Sequence, residues 1–358
     1  MSLFDNDESA WRLPVAVITG FLGSGKTTLL NGLLKHPDTG DAAVIVNEFG
    51  EVAIDHLLVE AVEGETMVLA SGCVCCALRD DLVTALRQLY ARRASGDLPA
   101  FQRVIIETTG LADPAPIAQM LLNNPMVSSY FRLDSVVTTV DALHGIDQLE
   151  AQPEAVKQVA LADRLLLTKG DIATPEAIER LHGRLRALNR LAELHEVVKG
   201  AIAPDALFGA EPATRRWLGD QWLTESSERR SYDGHLHGGH HHEQQDIESF
   251  VLEFEEPLEW RLFSRWLGDL RGRCGEQLLR VKGVLALRGE EQPVVIQGVH
   301  HVFHPPVRLE AWPESWSESR PDRAPDGSRR SRIVFITRAL PRDLVEESWH
   351  DYLTAAVS

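Results

Sequence analysis

The chain is expected to fold as a doubly wound, mostly parallel α/β sheet followed by a smaller α+β domain. Three observations predict this. Leu13–Thr19 is a short apolar run, Gly20–Gly25 is glycine-rich, and Thr28–Lys35 carries an apolar helical stripe, which together make a strand–loop–helix unit. Strand-like and helix-like segments then alternate to about residue 200, and several of the strands are apolar at almost every position, as strands buried on both faces are. The alternation stops at a polar, His-rich stretch, beyond which strands surround a helix.

Taken in order, the first domain has expected strands at Ala42–Val46, Thr66–Ala70, Arg103–Glu107, Ser135–Val140, Arg164–Thr168 and Leu194–Val197. Its helices are expected at Leu78–Arg93, Ala115–Leu122, Glu154–Ala160 and Pro175–Leu188. In the second domain, strands at Ile247–Phe254, Gln277–Leu287, Pro293–Gln297 and Arg332–Thr337 go with helices at Leu258–Leu270 and Asp343–Ala355. Trp312–Arg330, rich in Pro, Ser, Arg and Asp, reads as a flexible loop. The expected division is residues 1–224, a linker at 225–246, and residues 247–358.

A formal charge of -17 disfavours nucleic acid, whose phosphates it would repel. No run of 18 apolar residues exists to span a membrane, and the polar, acidic N-terminus has no signal-peptide core. A cytoplasmic location is therefore expected. Of four cysteines, three fall in Cys73-Val74-Cys75-Cys76, which suits metal or redox chemistry rather than a disulfide framework.

The most specific local signal is Gly20-Phe21-Leu22-Gly23-Ser24-Gly25-Lys26-Thr27, which matches G-x-x-x-x-G-K-[ST] between a strand and a helix. Gly20, Gly23 and Gly25 allow a tight loop whose N–H groups, with those of Ser24 and Thr28, face phosphate at a helix N-terminus. Lys26 would reach the β- and γ-phosphates and the Thr27 hydroxyl would hold Mg²⁺. Glu107 ends a buried strand and can hold the same Mg²⁺ through water, while Gly110 could bring its N–H to the γ-phosphate. Thr168-Lys169-Gly170-Asp171 resembles the guanine-reading N-K-x-D pattern, with Thr168 in place of Asn and so without one amide contact. Asp171 would accept from guanine N1–H and N2–H₂ and the Lys169 stem would lie along the base, which favours GTP over ATP.

Cys73, Cys75 and Cys76 offer three soft ligands of a tetrahedral site. Adjacent Cys75 and Cys76 must diverge sharply to share one ion, so a site using two of the three stays open, as does a redox thiol pair. In Asn47-Glu48-Phe49-Gly50-Glu51, Glu48 and Glu51 could face the nucleotide, or one could complete the Cys site. His235, His237, His240, His241 and His242 could bind Zn²⁺, Ni²⁺ or Co²⁺ loosely or simply be solvated, whereas His300, His301 and His304 read as packing or surface residues and Cys274 as structural.

Together these residues resemble the CobW family of metal-handling GTPases, grouped with UreG and HypB among the SIMIBI-class P-loop proteins. The resemblance rests on the loop at 20–27, Asn47–Glu51, the Cys-x-Cys-Cys at 73–76, Glu107-Thr108-Thr109-Gly110 and Thr168–Asp171. Arg280-Val281-Lys282-Gly283 and Gln297-Gly298-Val299-His300-His301 look like that family's C-terminal domain. The resemblance implies a GTPase whose hydrolysis accompanies delivery of a metal, often zinc, to a client metalloprotein, with catalysis at Lys26 and Glu107 and metal at Cys73, Cys75 and Cys76. Co²⁺ and a role in cobalamin synthesis remain alternatives, as do a metal store or sensor in which nucleotide is structural, a redox-controlled kinase, and a homodimer. Turnover by the isolated chain should be slow, because the motifs supply no Gln or Arg finger.

Overall fold

The computed structural model describes residues 11–39, 42–47, 67–71, 78–208, 247–309, 311–312 and 330–357, with the backbone alone at 38, 47, 67–71, 78–81 and 356–357. The chain forms two compact units, one over Asp7–Ala213 and one built mainly from Thr214–Ser358.

Among the described residues the first unit has seven strands, β1 (Leu13–Gly20), β2 (Ala42–Asn47), β3 (Met67–Ser71), β4 (Arg103–Glu107), β5 (Phe131–Asp141), β6 (Arg164–Thr168) and β7 (Glu193–Val197), in the order β3-β2-β4-β1-β5-β6-β7. Every neighbouring pair is parallel. Parallel strands need crossovers, and helices supply them. These are α1 (Lys26–Leu34), α2 (Leu78–Ser95), α3 (Ala115–Asn123), the short α4 (Pro125–Ser128), α5 (Gly145–Ala151), α6 (Pro153–Leu161), α7 (Pro175–Leu188) and the short α8 (Pro204–Leu207). On one face Leu29, Leu30 and Leu33 of α1 pack over Ile18, Val44, Ile105, Val137 and Leu166, all fully buried; the alternate residues Val15, Val17, Ile45, Val104 and Ile106 are fully buried too, which is the burial on both faces that the apolar strands predict.

Predicted and observed strands agree closest where the sequence runs are continuously apolar, as at Arg103–Glu107 and Arg164–Thr168. The fifth strand is longer than the expected Ser135–Val140, because Phe131 and Leu133 continue its pairing with β1. Asp134 hid that extension. It is the extra residue of a β-bulge, since Val15 pairs with Leu133 and Ala16 with Ser135. Helix α5 was not expected from the sequence, because seven mixed residues give too short a stripe.

Asp134 sits at the end of the sheet where the strands begin. Its carboxylate lies 3.2 Å from Arg132 Nη1, with both side chains largely buried. Arg103 lies over the Phe208 ring at 4.7 Å; burial pushes its pKa down, while Asp134 and Asp205 oppose that. Removing one member of a buried ion pair leaves the other charge uncompensated and costs about 3–5 kcal/mol. Asp134→Ala is therefore expected to lower the unfolding free energy by about that amount in urea titrations. A loss below about 1 kcal/mol would show that the pair is not structurally important.

The second unit is an antiparallel sheet of β8 (Ile247–Phe254), β9 (Leu278–Leu285), β10 (Val294–Val299), β11 (Val302–Phe303), β12 (Val307–Arg308) and β13 (Ser331–Arg338). The central order is β11-β10-β9-β13-β8, with β12 also on β10. Helices α9 (Trp260–Cys274) and α10 (Arg342–Val357) join one core with Phe250, Phe254, Phe335, Trp266 and Trp349. Trp266 and Trp349 meet edge to face at 5.1 Å, and Trp266 Nε1–H donates to Ser348 Oγ at 3.0 Å. Helix α9 starts two residues later than expected and runs on to Cys274, which packs against this core. His300 takes a positive φ of 51° in the turn between β10 and β11.

Candidate nucleotide site

The strand order puts the loop after β1 beside the ends of β4 and β5, where ligands of open α/β sheets bind. Gly20 adopts φ 143°, and a side chain there would run into Thr139 and the Ser24 hydroxyl, so only glycine fits. Gly23 and Gly25 also take positive φ, 71° and 94°, and close the loop. Helix α1 then begins with no side-chain cap and no acidic residue in its first turn. A helix N-terminus of this kind is suited to receive an anion. Helix α7, in contrast, is capped by Thr174, whose Oγ1 accepts from Ala177 N at 3.3 Å.

The loop is fastened from several strands. Ser24 Oγ lies 2.7 Å from Thr139 Oγ1, which in turn lies 3.3 Å from the Thr19 carbonyl. Thr168 Oγ1 lies 2.7 Å from the Ser24 carbonyl and 3.2 Å from that of Val140. Thr168 therefore does more than stand in for an asparagine: its hydroxyl ties the base-side loop to the phosphate loop. Lys26 Nζ donates to the carbonyls of Gly20 at 2.9 Å and Phe21 at 3.1 Å. Thr27 Oγ1 donates to Glu107 Oε1 at 3.2 Å, so the two residues expected to share a cation are adjacent. A buried carboxylate beside a hydroxyl is an all-oxygen set that suits a hard cation.

On the base side, Lys169 has φ 59° and its Nζ lies 2.7 Å from Asp141 Oδ2. Asp141 is buried at the end of β5 and also accepts from Leu143 N at 2.8 Å. The pair fixes the direction of the Lys169 stem, and Asp171 follows in an exposed turn. Asp141 and Thr139 were not singled out from the sequence; a carboxylate ending an apolar strand is the signal that would have pointed to Asp141. Gly110 packs on the phosphate loop, and a Cβ on it would sit 2.7 Å from Leu22 N. Thr28 is exposed on the first turn of α1, with its carbonyl against Gly200.

Gly20, Gly23, Ser24, Gly25, Glu107, Gly110, Lys169 and Asp171 lie on loops or strand ends, and Lys26, Thr27 and Thr28 on the first turn of α1, all at the carboxyl edge of one sheet. Cys73, Cys75, Cys76, Glu48 and Glu51 lie outside the described residues, as do His235, His237, His240, His241 and His242. Among the described residues no three His, Cys, Asp or Glu side chains come together as a metal cluster, and no helix is long and apolar enough to cross a membrane.

Residues 14–196 match the nucleotide-binding domain of the CobW/HypB/UreG family, and residues 247–353 match the C-terminal domain of the cobalamin synthesis protein cobW. The chain is 33% identical to the zinc chaperone YjiA of Escherichia coli, over 94% of this chain and 98% of that protein. It is 31% identical to the zinc chaperone CobW of Pseudomonas aeruginosa, over 82% of each. The crystal structure of the Zn(II)-bound YjiA GTPase from E. coli superposes with a TM-score of 0.68 at 29% identity, covering 95% of this chain and 99% of that one. A Zn(II)-bound YjiA variant with one glutamate and two cysteines replaced by alanine fits equally well, also at 0.68. The phosphate loop, its partner strands and the antiparallel second unit agree with both matches: the chain belongs to the CobW/HypB/UreG family.

Proposed function

We propose that the chain is a GTP-hydrolysing zinc chaperone that carries the metal on Cys73, Cys75 and Cys76 and hands it to a client metalloprotein. The chain is a GTPase. The observation that carries this half is the Thr27–Glu107 contact, which joins the phosphate loop to a second carboxylate strand 80 residues away. Lys26 and the uncapped first turn of α1 would receive the phosphates. Lys169 and Asp171 would receive guanine, with Asp141 holding the lysine. Thr27 and Glu107 would hold Mg²⁺, which would supply positive charge to the phosphates. With Lys26, these side chains hold the phosphates where charge grows during hydrolysis.

The zinc half rests on the relatives, which are zinc chaperones over most of this chain's length, and on the three thiols between the phosphate loop and Glu107. Glu51 is the candidate fourth ligand, and Co²⁺ is the competing cargo. Chaperone action requires that nucleotide and metal affect each other's binding. Zinc affinity is expected to differ about 5- to 150-fold between the GTP-analogue and GDP forms, read by competition titration with a chelator. Equal affinity in both forms and without nucleotide would reduce the chain to two independent binding activities. Repeating the titration with Co²⁺ decides the cargo.

A further inference from the structure

We propose that Gln158 is a positioning residue that holds the loop carrying Gly110 against the phosphate loop. This rests on the GTPase reading above and adds a residue to it. Gln158 lies on α6 and is completely buried. Its two Nε2 protons meet two carbonyls of the same loop, Gly110 O at 3.2 Å and Ala112 O at 3.0 Å. Its own backbone carbonyl accepts from Thr138 Oγ1 of β5 at 2.9 Å, so the side chain starts from a fixed point. The preceding residue adds a second tie, since Lys157 Nζ lies 3.6 Å from Asp113 Oδ2.

Gly110 also packs against the phosphate loop at Leu22. Gly110 therefore touches both α6, through Gln158, and the phosphate loop, through Leu22. The Gln158 Oε1 atom is buried and has no hydrogen-bond partner among the described residues. A buried amide with an unmet acceptor is unfavourable for stability, and an apolar side chain would avoid that cost. The donor half is what the site uses: two N–H groups match two loop carbonyls that Leu or Met would leave unmet. A loop aligned in this way presents Gly110 to a γ-phosphate without having to be ordered on binding. A diphosphate, lacking that group, gains nothing from the alignment.

The test is equilibrium binding of GDP and of a non-hydrolysable GTP analogue to the full chain with Mg²⁺, for wild type, Gln158→Leu and Gln158→Met. In both variants the preference for the analogue over GDP is expected to fall about tenfold, with GDP affinity held within about twofold. Gln158→Asn, one methylene short of the carbonyls, should behave like Gln158→Leu. A purely structural glutamine would weaken both nucleotides alike or neither, and either result overturns the proposal. If Gln158→Leu does not fold, Gln158→Met, which keeps the side-chain length, carries the same measurement. Failure of the wild-type chain to bind either nucleotide would instead remove the GTPase reading, so the two failures are distinct.

Discussion

Lys26→Ala is expected to lower GTP turnover by about 10²–10³-fold while leaving the zinc affinity of the nucleotide-free chain unchanged. The ammonium sits on the loop itself, held by the carbonyls of Gly20 and Phe21, so it is placed before any phosphate arrives. Charge grows on the phosphoryl oxygens during hydrolysis, and a fixed cation in a partly buried loop stabilises it with little reorganisation. Loss of the ammonium also removes two contacts within the loop, so GDP binding should be measured in the same variant. Single-turnover hydrolysis tests the first claim, and chelator competition tests the second. If zinc affinity falls with turnover in a folded variant, the two sites are not separable and the chaperone reading must be rebuilt around one composite site.

Cys75→Ala should weaken the tightest zinc site by about 10²-fold or more. Loss of a residue that merely orients a ligand costs about 10–100-fold, and a thiolate ligand contributes more than its orienting partner. The effect should be read against chelators of graded affinity, because other side chains can hold zinc more weakly. The Zn(II)-bound YjiA variant, with one glutamate and two cysteines replaced, shows that the relative still holds zinc after such changes. GTP turnover without zinc should be unaffected in Cys75→Ala, because the residues proposed to serve phosphate and Mg²⁺ are Lys26, Thr27 and Glu107. An unchanged high-affinity titration would exclude Cys75 as a ligand.

The residues legible in advance share a property: their chemistry is local. The loop at 20–27 can be read because the glycines, the lysine, the hydroxyl and the helix start are consecutive. Glu107 could be read because it ends an apolar strand. Residues whose role depends on a distant partner were missed. Thr139 matters through Ser24, 115 positions away, and Thr168, read in advance only as part of the base-reading motif, also ties the same residue, 144 positions away. Asp141 acts through Lys169 across neighbouring strand ends, and Gln158 through Gly110 from a helix that periodicity alone marks as buried. In the second unit the alternating strands and the α9 stripe were visible, whereas the short β11 and β12 were too brief to stand out.

Sequence by itself determined the fold class, the phosphate loop and the thiol cluster as features of the chain, since each needs only neighbouring residues and a hydrophobic period of two or 3.6. Tertiary structure alone decided that β4 inserts between β1 and β2 and that β5 flanks β1 on its other side. That order is set by crossover packing and not by any local run, because parallel strands pair only after a helix has carried the chain back along the sheet. It alone brings Glu107 to Thr27, Thr139 and Thr168 to Ser24, and Asp141 to Lys169.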